Sequence, residues 1–477
     1  MRARHLQLLA GITLAGALLR FATLDVQSYW LDEVATVNIL HKSFGDVFSA
    51  VSAGESTPPL YYALAWLWAK VFGSGEIGLR SLSALLGTLT IPVAFALGRR
   101  VADERAGLVA AALCAFNPLL IWYSQEARSY ALMIVLTGLS LLALLRALDE
   151  PSARRLALWA VASIAAIATH YFAGFLVGAE AAWLLYATRP RSRALLAVAP
   201  AALAAAALLP LALHQRSTGA ARFISASSLA KRLAQIPKQF VVGYQGPAEV
   251  VTTVLTLALV AYGLFRLLNA ASPERRARAL LLAGLAFASV IAAALLAAIG
   301  PDYLIARNTI AALLPLAVAV AAGLALDRAG LVAATVVCAI GAFIVIGVDR
   351  NERYQRDDWR GAAQFLGRAD QPRAVIVTPA SGAVPLLHYL EGGRKAPSPG
   401  VTVKEIAFVG LAPRLPGEAP EPPRPPTVGA AGFTETRRKQ ADTYTVVVEK
   451  SPTGTTITPV VGASSLDGRS AITLYQP

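Results

Sequence analysis

The sequence predicts a polytopic α-helical membrane protein of about eleven transmembrane helices, ending in a small extracytoplasmic α/β domain. Three observations carry that fold class. Of the 477 residues 56% are hydrophobic and only 15% charged, with a mean hydropathy of +0.55, a balance that soluble domains do not keep. Apolar runs of spanning length recur up to residue 347, and after Val348 they give way to the polar Asp349-Arg350-Asn351-Glu352.

The runs fall at about 6–24, 81–98, 106–122, 129–147, 155–169, 171–187, 194–212, 249–268, 279–299, 309–326 and 330–347, each long enough to cross a hydrocarbon core as helix. The net charge of +14 would suggest nucleic acid in a soluble protein. Here the arginines sit between apolar runs and read as topology signals, so no nucleic-acid partner is expected. Arg2 and Arg4 precede the first run; Arg99, Arg100 and Arg105 follow the second; Arg146, Arg154 and Arg155 the fourth; Arg189, Arg191 and Arg193 the sixth; Arg266, Arg275, Arg276 and Arg278 the eighth; and Arg328 the tenth. With eleven crossings all of these share one side, which the positive-inside rule makes cytoplasmic. Ala15-Gly16-Ala17 resembles a signal cleavage site, but the apolar character continues to Leu24, which favours a retained span. Cys114 and Cys338 lie inside apolar runs and give neither a disulfide framework nor a metal motif.

The first outer connection, 25–80, carries Ser28-Tyr29-Trp30-Leu31-Asp32-Glu33. Adjacent carboxylates at a membrane edge are costly and hard to explain as packing, so Asp32 and Glu33 are the leading candidates for chemistry. Leu31 to Leu40 and Ala50 to Phe72 contain helical stretches, and Tyr61, Tyr62, Trp66 and Trp68 give the connection the character of an interfacial helix that can also line a cavity entrance. The second long outer connection, 213–248, carries Arg216, Arg222, Lys231, Arg232 and Lys238. Basic residues are normally depleted there, so either an anionic ligand or a headgroup-facing surface accounts for them.

Further polar groups mark the same side. Glu126 and Arg128, within Ser124-Gln125-Glu126-Ala127-Arg128-Ser129-Tyr130, either pair with each other and cap the fourth span or face the cavity that Asp32 faces. His170-Tyr171 ends the fifth span, where a lone histidine is commonly a hydrogen-bonded interfacial residue. Arg307-Asn308 opens the tenth; a helix start favours an anion over a cation, which makes Arg307 a candidate anion ligand, best suited to phosphate.

The first 347 residues thus form the expected membrane domain and 348–477 the soluble one. In the tail an amphipathic helix at 355–368 precedes strands around 375–377, 402–409, 443–448 and 472–475, with a Pro-rich stretch at 412–426. No nucleophile elbow, Cys/His cluster or Gly-rich phosphate loop occurs there, so no chemistry is assigned to it.

Taken together, Asp32-Glu33 after the first span, Thr57-Pro58-Pro59-Leu60-Tyr61-Tyr62, Gln125-Glu126-Ala127-Arg128-Ser129-Tyr130, Thr169-His170-Tyr171, and Arg307-Asn308 leading into Leu313-Leu314-Pro315-Leu316 resemble the membrane-embedded GT-C glycosyltransferases. The resemblance is to the bacterial relatives of protein O-mannosyltransferases and of the aminoarabinose transferase of lipid A. It covers about 1–347 and the Asp358-Trp359-Arg360 that opens the tail. The chain lacks the β-trefoil insertion of the mannosyltransferases, which leaves the acceptor open.

The resemblance implies a multi-pass protein of the bacterial inner membrane with an extracytoplasmic active site. Nucleotide sugars are cytosolic, so the implied donor is a polyprenyl-phosphate-linked sugar in the bilayer and the acceptor a cell-envelope glycan, lipid or protein hydroxyl. In that scheme Asp32 is the general base, Glu33 orients it or a sugar hydroxyl, and Glu126 shares the catalytic cavity. Tyr61, Tyr62, Arg128, His170, Tyr171 and Arg307 then bind the donor, with Arg307 facing the departing phosphate. No metal ligands are assigned, although a divalent cation, Mg²⁺ or Mn²⁺, on Asp32 or Glu126 would suit the family's chemistry. A transporter or lipid-linked-sugar flippase is the rival from another class. Against it, the polar residues gather on one side instead of the midplane, and no internal repeat stands out. A glycan-binding assembly scaffold would leave Asp32 and Arg307 unexplained.

Overall fold

The structure, a computed structural model, describes residues 3–219, 224, 227–300, 302–398, 400–411, 432–457, 465–466 and 469–477. Arg2, Arg222 and the Pro-rich stretch 412–426 lie outside the described residues. The chain divides into two units, Met1–Leu24 with Asn38–Ile346, and Asp25–Val37 with Gly347–Pro477. The acid-bearing segment 25–37 therefore packs with the tail and not, as the sequence suggests, with the rest of its connection.

All eleven apolar runs are helical. The chain starts with α1 (Ala3–Phe21), then α2 (Leu31–Leu40), α3 (Phe44–Gly54) and α4 (Leu60–Phe72). The helical stretches expected within Ala50 to Phe72 are the end of α3 and α4, separated because Pro58 and Pro59 lack the amide a helix needs and Pro58 pushes Thr57 out of the helical region. Ser43 caps α3 through the amide of Asp46, and Gly73, at φ +80°, ends α4. Next come α5 (Glu76–Val101), α6 (Glu104–Phe116), α7 (Pro118–Ser124), α8 (Tyr130–Asp149), α9 (Ala153–Thr169), α10 (Ala173–Ala187), α11 (Arg191–Ser217), α12 (Leu229–Val242), α13 (Glu249–Ala270) and α14 (Pro273–Ile299). A 3-10 turn, Ile310–Ala312, then leads into α15 (Leu313–Leu324), followed by α16 (Arg328–Arg350).

Among the described residues six single helices are long and apolar enough to cross a membrane: α5, α8, α11, α13, α14 and α16. A seventh would be α6 with α7, which are bent by 60° at their junction. The bend has a local cause: Pro118 has no amide hydrogen to continue the ladder, and Asn117, extended, caps α7 by accepting from the amide of Leu120 at 3.0 Å. The carbonyls left at the end of α6 are taken up by a side chain from α1. Arg20 donates to the oxygens of Ala115 and Cys114, both at 3.0 Å, and to Ser124 Oγ at 3.1 Å. Elsewhere helices meet backbone to backbone; a Cβ on Gly323 of α15 would lie 1.9 Å from the Gly263 oxygen of α13, the close approach that small residues permit.

The second unit is built on a six-stranded sheet. Its strands are β1 (Arg373–Thr378), β2 (Arg394–Lys395), β3 (Val401–Leu411), β4 (Thr434–Gln440), β5 (Tyr444–Ile457) and β8 (Ile472–Gln476), in the order β2-β8-β1-β3-β5-β4; β6 (Ser465–Leu466) and β7 (Arg469–Ser470) pair separately. Among the described strands only β1 and β3 run parallel, joined through α18 (Ala383–Tyr389). Period-two alternation divides the strands' apolar residues. Val375, Val377, Ala407, Val409 and Val446 pack with Trp359, Ala362 and Leu366 of α17 (Trp359–Leu366) and with Leu386 of α18, while Ala374, Ile376, Ile406, Phe408 and Val447 form the opposite face. The amphipathic helix read at 355–368 is confined to α17, since Asp358 caps it through the amide of Gly361 and Gly367, at φ +63°, stops it.

Candidate active site

Asp32 and Glu33 occupy the first turn of α2, where carboxylates are favoured by the helix dipole. The carbonyl of Trp30 accepts from the amides of Glu33 and Val34, both at 3.0 Å, so the turn starts directly from that residue. Neighbours on a helix diverge by about 100°, and the two acids differ accordingly: Glu33 is fully buried and Asp32 half-buried. These acids belong to the second unit.

The remaining candidates belong to the first. The amide of Arg128 donates to the Glu126 carbonyl at 2.8 Å, while its guanidinium reaches further. It makes a two-pronged ion pair with Glu55, Nη1 to Oε1 at 2.6 Å and Nη2 to Oε2 at 2.8 Å, with both side chains buried. This fork geometry is the strong form of the arginine–carboxylate bond. The Arg128 guanidinium also lies over the Tyr62 ring, 5.8 Å from its centroid. Tyr62 and Thr57 share a hydroxyl hydrogen bond of 3.2 Å, and Tyr61 packs edge-on against Tyr62 with its own hydroxyl 3.4 Å from Ser83. Glu55 was missed in the sequence; its signal is that it is the one acid between Asp46 and Glu76, just ahead of Pro58-Pro59.

His170 caps the end of α9 with its ring 5.5 Å from that of Tyr130. Burial pushes its pKa down to about 3, and the positive charges of Arg128 and Arg307 add to the fall. The imidazole is therefore neutral, and because its Nδ1 accepts from the amide of Phe172 at 3.2 Å, the proton is assigned to Nε2. Tyr171 donates to Gln215 Oε1 at 2.9 Å, while Gln215 Nε2 donates to the carbonyls of Val51 at 2.9 Å and Thr57 at 3.1 Å. One buried amide thus ties α11 to the last turn of α3 and to the break that follows it, and Gln215 too was missed.

Arg307 lies in a turn before the Ile310–Ala312 3-10 turn and not at the first turn of a helix, so the helix-dipole argument for it does not hold. What places it beside the other candidates is charge: Arg307 is felt at His170, and Arg307 and Glu126 are both felt at the Tyr123 hydroxyl. A run of ring contacts leads from His170 to Tyr130, from Tyr130 to Tyr123 and from Tyr123 to Tyr244. The basic connection 213–248 spends part of its charge within the protein. Arg232 is held by Asp302 and by the Leu304 carbonyl at 2.6 Å, and its hydrogen bonds hold the Asp302 carboxyl below the usual carboxylate range. Lys238 pairs with Glu249 at 2.8 Å. Among the described residues no group of three or more His, Cys, Asp or Glu side chains gathers as a candidate for holding a metal ion.

Residues 56–214, a third of the chain, match the family model of dolichyl-phosphate-mannose-protein mannosyltransferases. The oligosaccharyltransferase AglB of Archaeoglobus fulgidus, solved with an inhibitory peptide and a dolichol-phosphate, is similar in fold at 14% identity, over 76% of this chain and 58% of that one, with a TM-score of 0.50. ArnT of Cupriavidus metallidurans is similar over 68% of this chain and 59% of that one in its apo state, at 18% identity and a TM-score of 0.46. Bound to undecaprenyl phosphate, the same protein aligns over 69% and 61% at 17% identity and a TM-score of 0.46. The chain thus spans about three fifths of the length of these proteins. No curated protein matches the chain.

Proposed function

We propose that this protein, whose fold is the GT-C fold of membrane glycosyltransferases related to the protein O-mannosyltransferases, moves a sugar from a polyprenyl-phosphate-linked donor to a hydroxyl of the cell envelope. The observation that carries the reading is where the family match falls: residues 56–214 contain Tyr61, Tyr62, Glu126, Arg128, His170 and Tyr171, six of the nine candidates chosen from the sequence. The topology that goes with it has eleven crossings of a bacterial inner membrane, with the arginine-rich connections cytoplasmic and residues 348–477 outside.

In this reading the Asp32 carboxylate takes the proton of the acceptor hydroxyl as its oxygen bonds to the anomeric carbon. The bond from that carbon to the phosphate oxygen breaks, and polyprenyl phosphate leaves with the electron pair. A positioned base contributes about 10²–10⁴-fold. Arg307 supplies positive charge to the leaving phosphate, the role in which preorganised donors count most. Arg128, already committed to Glu55, serves the electrostatics more than direct binding. The neutral His170, with its proton on Nε2, is a hydrogen-bond donor. Glu33, buried, orients the turn that carries Asp32.

The test is transfer in membranes containing the protein, from a panel of radiolabelled undecaprenyl-phosphate hexoses and pentoses to the envelope fraction, alongside mass analysis of envelope glycans and lipids in a deletion strain. Label should pass to one fraction from at least one donor; translocation of the lipid-linked sugar without transfer would replace this reading by a flippase. A reporter fused after Val348 should be active only outside the cytoplasm.

A further inference from the structure

Six consecutive residues, Asp25 to Trp30, are each held by the residues that open or follow the tail's first helix, all within the second unit. Arg360 Nη2 donates to the carbonyls of Asp25 at 2.7 Å and Val26 at 3.2 Å. The amide of Arg356 donates to Gln27 Oε1 at 2.9 Å. Ser28 Oγ donates to the Asp357 carbonyl and accepts from the Trp359 amide, both at 3.0 Å. The amide of Tyr29 donates to the Tyr389 hydroxyl at 2.6 Å, its ring meets His388 edge-on at 5.6 Å, and the Arg356 guanidinium covers the Trp30 ring at 4.7 Å. The holder is itself fixed. Trp359 is buried in the core of the sheet domain, so close to Gly382 that a Cβ there would lie 2.0 Å from its ring. The Asp358 amide is tied to Thr443 Oγ1 at 3.2 Å, next to β5.

Such dense fastening of a connecting segment exceeds what anchoring a chain requires. It ends on the residue whose carbonyl starts the turn bearing Asp32 and Glu33. We propose that the tail's sheet domain is a mount for the acid pair, and that Ser28, Arg360 and Tyr389 are positioning residues that fix the placement of Asp32 through the backbone of 25–30. This rests on the reading of Asp32 as the general base; if that fails, the mount remains as a physical claim about the segment. A base has to be held within about 0.5 Å of its productive place, and misplacement by about 1 Å costs on the order of 10²-fold. Here the tail, to which the sequence assigns no chemistry, supplies that constraint.

Two measurements on the full-length protein test this. Hydrogen exchange in nanodiscs should show amides 31–36 exchanging at least about tenfold faster in Ser28→Ala/Tyr389→Phe than in the parent, with β1 and β3 unchanged, because a turn released from its anchor opens locally. Tyr389→Phe alone, which keeps the ring, serves if the double variant does not fold. Transfer per unit of folded protein should fall by about tenfold in Ser28→Ala and return in Ser28→Thr, which keeps the hydroxyl. Unchanged exchange overturns the mount. Faster exchange with undiminished transfer overturns the positioning role. Full transfer in Asp32→Asn sinks the base assignment and leaves the exchange result standing.

Discussion

The two groups of candidate residues are immobilised in opposite ways. Around Asp32 the protein grips the backbone: Arg360 holds two carbonyls and Tyr389 an amide, while the carboxylate itself stays half-buried. Around Arg128 it grips side chains: Glu55 takes both prongs of the guanidinium, and Gln215 and Tyr171 close over the α3–α4 break, all buried or partly so. A group held through its backbone can change chemistry without loss of packing. One held by a buried partner cannot, because removing either charge strands the other in low dielectric.

Removing one carboxylate from each group breaks this contrast most directly. Asp32→Asn should lower transfer by about 10²–10⁴-fold with an unchanged melting temperature; a large drop in melting would mean that Asp32 is structural. Glu55→Ala should do the reverse first, costing about 3–5 kcal/mol of stability because Arg128 loses its buried partner, read as a lower melting temperature or yield before any assay of transfer. Unaltered melting would show that water already reaches the pair. His170 sharpens the comparison through pH. Its pKa lies near 3 in the folded protein and near 6.5 in the unfolded chain, so the unfolded state takes up the proton first. Stability is complete above pH 6.5 and falls as pH drops toward 3, by about 2 kcal/mol at pH 5. His170→Gln should flatten the melting curve over that range. Tyr171→Phe should cost the least, about 1 kcal/mol, since it deprives Gln215 of one of three hydrogen bonds.

Legibility in the sequence followed the range of the interactions. Helices declared by composition were read at every apolar run, and α2 was read to its ends, Leu31 and Leu40, because local hydropathy is enough. The 60° bend was announced by Pro118 and overlooked, since the apolar run continues straight through it. β4, Thr434–Gln440, is exposed at every position and carries no alternation, so only its pairing with β5 makes it a strand. At the site, residue types and sidedness pointed to Glu126, Arg128, His170 and Arg307, but their partners were out of reach. Arg128 and Glu55 are 73 residues apart, and Ser28 and Trp359 are 331 apart. No periodicity encodes a pairing of that separation, which depends on the order in which the helices pack. The internal partner of Arg232 in the basic outer connection was out of reach for the same reason, since Asp302 lies 70 residues beyond it.

Arg20 carries a consequence for biogenesis. A helix threaded into the bilayer as it is synthesised must harbour this guanidinium with only the Gly16 carbonyl of its own helix as acceptor, since the carbonyls of Cys114 and Ala115 are made more than ninety residues later. An arginine in a nascent span costs about 2.5–3.5 kcal/mol at its centre and less near an end, and Arg20 sits next to the last residue of α1. The acceptors that complete the Arg20 cluster therefore become available only once the α6–α7 break has been made.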